Sequence, residues 1–161
     1  MPVSIDYIEE TLTKVKSTIS TNLQTYLTVI QVAKADGITL TAPIAENYHI
    51  YEVDSMPFFP VIEFIADSTD VVIAGGTWDE DDHHIIIKVH NATDQGKESD
   101  VSMKSYRFTK AIAEIILDNR TLDDTVIGIQ ITNVNYEPMM TDGYTFKQEV
   151  WIHCTIKRFG N

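Results

Sequence analysis

From Ile5 onward, apolar residues recur at steps of three and four. Ile8, Leu12, Val15, Ile19, Leu23, Tyr26, Leu27 and Ile30 form one stripe with polar residues between them. That spacing predicts an amphipathic helix from Ile5 to Gln31, about 40 Å long at the helical rise. Ser4 is placed to cap its start, and Glu9 with Glu10 complements the positive end of the helix dipole. Gly37, just after Lys34, is the expected stop. The helix is rich in serine and threonine, which lower intrinsic helicity, so it relies on burying its stripe against another layer.

The pattern then changes. Residues 37–60 are irregular and punctuated by Pro43, Pro57 and Pro60, with Tyr48, Ile50, Tyr51 and Val53 available for a short strand. We read this stretch as an extended arm. Val61–Ala66 predicts a first core strand and Val71–Ala74 part of a following one, with Gly75-Gly76 marking a turn before Trp78. The run HIIIKVHN, His84 to Asn91, alternates so that Ile85, Ile87 and Val89 face one way. A polar linker, NATDQGKESD, leads to a second helix capped by Ser99 or Asp100 and running to about Asn119. Met103, Tyr106, Ala113, Ile116 and Leu117 build its predicted face, widened by Ile112 and Ile115.

Two long antiparallel strands are expected at Val126–Tyr136 and Tyr144–Arg158, joined by the turn formers of EPMMTDG. In the last strand Tyr144, Phe146, Val150, Ile152, Cys154 and Ile156 are expected to share one side, and Lys147, Glu149, Trp151, His153, Thr155 and Lys157 the other. The order predicts an α+β fold, a mostly antiparallel sheet packed by the long N-terminal helix and a second amphipathic helix. We expect residues 1–161 to form a single domain with an irregular arm at about 37–60.

Composition narrows the function classes. One cysteine, Cys154, excludes an intramolecular disulfide framework, and no apolar run is long enough to span a membrane. The N-terminal MPVSIDYIEE lacks the basic and apolar regions of a signal peptide. The net charge of −12 argues against a conventional phosphate-binding surface. It is uneven, with net −1 over residues 1–36, −9 over 37–97 and −2 over 98–161. A solvated acidic face is one reading of the middle segment, and a surface that repels or loosely guides another polyanion is the other.

Several residues carry candidate chemistry. Asp79, Glu80, Asp81 and Asp82, followed by His83 and His84, are ligand types for a divalent cation. Consecutive residues of an extended chain point to opposite sides, however, so an acidic turn leading into a strand is the plainer expectation. Glu63, Asp67 and Asp70 are of the type nucleases use, but lack a nearby lysine and sit in negative surroundings. Cys154, among apolar neighbours, is expected to be a buried inert thiol. His90 and His153 have no obvious partner in the sequence, and no catalytic set emerges. Phe58 and Phe59, flanked by prolines in the arm, are candidates for docking on a neighbouring subunit, as is Trp151 on the charged side of the last strand.

The chain resembles the tail-terminator (tail-completion, neck and head–tail joining) proteins of long-tailed bacteriophages. The resemblance covers most of the chain and lies in pattern and length: IEETLTKVKSTI, PFFPVIEFIAD, HHIIIKVHNATDQG, SMKSYRFTKAIAEIILDN, IGIQITNVNYEP and YTFKQEVWIHCTIKRF follow one another as in that family. The stretch 37–60 departs from the compact terminator pattern by its length, which leaves terminator and another neck subunit both open. The resemblance implies a structural virion protein without catalysis or cofactor, assembled in the host cytoplasm. It forms a ring, a homo-oligomer of six subunits, that caps the tail tube and joins it to the head connector, with DNA passing through without sequence-specific binding. An acidic lumen built from Asp79, Glu80, Asp81 and Asp82 would let DNA slide through. Two other classes stay open: a metal-dependent hydrolase or nuclease using Asp79, Asp82, His83 and His84, and an acidic adaptor that mimics the charge of DNA.

Overall fold

The N-terminal stripe forms helix α1, Ile5–Lys34, with Leu12, Val15, Ile19, Leu23, Leu27 and Ile30 buried along one side. The computed structural model describes residues 5–56, 58–74, 78–94 and 97–159, with side chains for 8–56, 58–70, 81–93 and 97–158. Ser4 and Gly75-Gly76 lie outside the described residues. α1 ends as Ala35 turns into the left-handed region at φ +48°, followed by Gly37 at φ +81°. In that turn the Asp36 carboxylate takes both arms of the Arg107 guanidinium, which holds its pKa down at about 2. The exit of α1 is thereby tied to the second helix.

The described residues of 37–60, which exclude Pro57, are largely irregular, with a 3-10 turn at Ala45–Asn47 and a two-residue strand, β1, Tyr48–His49. Five further strands follow: β2 Val61–Ala74, β3 Trp78–Asp94, β4 Gly128–Tyr136, β5 Met140–Thr141 and β6 Thr145–Phe159. The sheet order is β1-β2-β3-β6-β4, with β5 on β6. β1 runs parallel to β2 and every other pairing is antiparallel. The fold is α+β, as the pattern predicts.

Two boundaries differ from expectation. The segments 61–66 and 71–74 belong to one strand, bridged by paired residues around a bulge between Ala66 and Ser68. Likewise the acidic segment 79–82 is not a turn or loop. It is the first part of β3, paired with β2 on one side and β6 on the other. Asp70 and Asp82 are read locally as loop residues, whereas their strand state comes from hydrogen bonds to distant chain.

The second helix, α2, spans Glu98–Asp118; Lys97 holds the cap position, two residues before Ser99 and three before Asp100, without a side-chain hydrogen bond. Its buried stripe is Val101, Ser105, Phe108, Ile112, Ile115 and Ile116. Both helices lie on one face of the sheet, where Ile62, Phe64, Ile85, Ile87, Val89, Val150, Ile152 and Ile156 join them in one core. Met103, Tyr106 and Leu117, expected on the packing face, are exposed instead. The 3.6-residue period places two apolar stripes on α2, and only one of them meets the core.

Candidate functional site

On the side of the sheet away from the helices, the alternate residues of β2, β3 and β6 form a polar row. Glu63 is only 2% exposed there. Its Oε1 accepts the Val53 backbone N–H at 2.5 Å, and its Oε2 lies 2.7 Å from His90 Nε2. The other ring nitrogen of His90 is 3.4 Å from Glu149 Oε1. Trp151 Nε1 donates to Glu149 Oε2 at 2.9 Å, and Lys88 Nζ sits 4.6 Å from the Trp151 ring centre. Lys88 also pairs with Glu52 at 2.6 Å, which holds the Glu52 carboxyl below its usual range. The arm is thus fastened to the sheet through Glu52 and Val53. These partners are 27 residues apart or more in most cases, so no local pattern signals them; His90, read as unpartnered, is flanked by two carboxylates.

The predicted interface aromatics lie along this face and its edge. Phe58 is 68% exposed on the arm. Phe59 is half-buried, with Lys147 Nζ 5.4 Å from its ring. Trp151 is half-buried, with Lys88 Nζ against its ring.

The acidic and histidine run is split by the strand. Asp81 and His83 face the helices and are buried, while Asp82 and His84 face the other way, beside Asp70. Asp79 and Glu80 are strand residues whose side chains lie outside the described set. His83 Nδ1 is 2.9 Å from Thr69 Oγ1, its Nε2 is buried without a partner, and desolvation lowers its pKa. His84 bridges Thr155 and Asp70, each at 3.0 Å. Among the described residues no group of three or more ligand side chains converges on a common point. Glu63 is likewise separated from Asp67 and Asp70, being buried under the arm while they are exposed further along β2. Cys154 is buried, and burial pushes its thiol up to about 12, too high for a nucleophile at neutral pH.

A third region has the makings of a binding surface. Between the C-terminal half of α2 and β4 runs a groove of about 840 Å³. Ala113, Leu117, Ile127, Ile129 and Ile131 line it, with Arg120 and Lys157 at its rim. Tyr106 continues the surface, meeting Tyr136 edge-on at 5.1 Å between ring centres. Among the described residues β6 is the strand that pairs with β4, on one side; on its other edge the Ile129 N–H donates to the Arg120 carbonyl at 2.9 Å.

No protein-family model matches this chain, and no curated protein matches it in sequence. What the molecule does is therefore argued from its own geometry, in which no group of three or more metal-ligand side chains converges among the described residues.

Proposed function

We propose that this chain is a structural subunit of the neck of a long-tailed bacteriophage, of the tail-terminator kind. In this reading it forms a six-membered ring on the end of the tail tube, meets the head connector, and catalyses nothing. DNA passes through the ring without sequence-specific contact, in keeping with a net charge of −12. The observation that carries the reading is the state of the sheet. Among the described residues it is covered by helices on one face and ends at β4 in a strand whose strand partner lies on one side, next to an apolar groove. A subunit of a closed ring needs such unsatisfied surface for its neighbours. The arm with exposed Phe58 adds a projecting apolar side chain suited to a tube or connector surface.

The test is tail-tube capping. Purified chain is added to polymerising tube subunits and the tube ends are imaged. Rings of six at one end with arrested growth are expected. Tubes that elongate past the added protein, with no density at their ends, would reject the proposal. Loss of capping in Phe58→Ser with the fold retained would locate the tube contact on the arm.

A further inference from the structure

The groove beside β4 has a complementary surface on the same molecule. We infer that the β4 edge docks the outer edge of β2 on a second copy of this chain, head to tail, with the groove between α2 and β4 receiving that neighbour. The inference rests on the ring reading above and specifies its contact.

Four observations converge. First, β4, GIQITNVNY, contains no charged residue and no proline, two of the devices that keep a sheet edge from pairing; its one irregularity is a bulge between Ile131 and Asn133. Second, the adjacent groove is apolar, and Leu117 within it is 56% exposed, a surface that favours coverage. Third, the rim of the groove is basic on an acidic molecule. Arg120 and Lys157 line it and make no ion pair among the described residues. Fourth, the opposite end of the sheet offers a matching edge. β1 covers only Ile62 and Glu63 of β2, and beyond them no strand pairs with the outer edge of β2 among the described residues. That edge carries exposed Asp67 and Asp70.

The two edges also agree in reach. A nine-residue strand extends about 30 Å, and the uncovered part of β2 from Phe64 to Ala74 is slightly longer. Backbone pairing supplies affinity, the groove supplies apolar burial, and the Arg120–Lys157 rim against Asp67 and Asp70 sets direction and register. Because donor and acceptor edges sit at opposite ends of one sheet, each added copy leaves a fresh edge. Repetition then closes as a ring or runs on as a filament. Exposure of Met103, Tyr106 and Leu117 follows from the same arrangement, since they belong to the helix stripe that faces the docked neighbour.

The experiment is a charge swap read by native mass spectrometry and sedimentation over a range of protein concentrations. One variant carries Arg120→Glu with Lys157→Glu, and the other Asp67→Lys with Asp70→Lys. All four positions are exposed, so both variants are expected to keep the wild-type far-ultraviolet circular dichroism. The wild type should assemble and each variant alone should weaken assembly at least tenfold. An equimolar mixture should assemble again, because every acidic groove then meets a basic β2 edge and every basic groove an acidic one. If either double variant loses its fold, Leu117→Lys in the groove is read in the same assay and should also leave monomer.

Variants that assemble like the wild type, or a mixture that stays monomeric, would overturn the edge pairing while leaving a wild-type ring standing. A closed two-subunit species indifferent to the swap would overturn it in favour of β4 against β4. A wild type that is monomeric at every concentration would also overturn it, and the ring reading would then be decided by tube capping alone.

Discussion

Phe64, Ile87 and Ile152 lie side by side across β2, β3 and β6 on the helix-covered face, all fully buried. The neighbouring row on the opposite face is Glu63, Lys88 and Trp151, in the same register. The two rows share backbone hydrogen bonds and differ only in which way their side chains point. The first row is held by removal of apolar surface from water, a force that needs fit but no partner. The second is held by charge-assisted bonds to His90, Glu52, Glu149 and the arm, and each member depends on another. A strand buried on both sides can therefore serve two purposes: one face makes the domain, and the other fastens a loop that the core does not reach.

The comparison is broken most severely from the apolar side. Phe64→Ala should cost about 3–5 kcal/mol in urea unfolding, since it removes a buried ring and leaves a cavity between the sheet and the helix layer. A loss below about 1 kcal/mol would mean that this row is not the centre of the core. On the polar side, Glu63→Ala should cost about 2–3 kcal/mol, because it strands His90 and the Val53 amide. Replacing both partners, Glu63→Leu with His90→Leu, should recover part of that loss, whereas no such rescue exists for Phe64. If the double variant is as damaged as the sum of the singles, the pair does not act as a unit. Faster proteolysis within residues 50–56 in Glu63→Ala, with the core intact, would confirm that the polar row holds the arm.

The smallest effect is a slope. His83 is a polar residue on the apolar face, and burial lowers its pKa from the ordinary 6.5. Between the lowered value and 6.5 the unfolded chain binds more protons than the folded one, so stability rises with pH in that window. The stability is present above 6.5 and is lost as pH falls through and below it. His83→Gln should flatten the unfolding free energy between pH 7 and pH 5, and an unchanged slope would assign the dependence to another group.

The sequence pattern makes some of this visible and hides the rest for physical reasons. The α1 stripe and the alternation of Ile85, Ile87 and Val89 are legible because helix and strand periods are local. The acidic residues of β2 and β3 were not, because Asp70 and Asp82 are strand residues only by virtue of each other and of β6. On α2 the period is right and the side is ambiguous. Two apolar stripes compete, and the sheet decides that Phe108 goes in while Tyr106 stays out. The Glu63–His90–Glu149 cluster is invisible for the same reason that it is informative: its members meet only when three strands and the arm have come together.

The position of β6 has a consequence for the order of events at the ribosome. β4 is made before β6, yet β6 lies between β3 and β4 in the sheet and is, among the described residues, the only strand to which β4 is bonded. Domains fold as their residues emerge, so for a time β2 and β3 can pair as a hairpin while β4 has nothing to hold. The β4 edge is therefore completed last, because the strand that β4 pairs with is the last one translated.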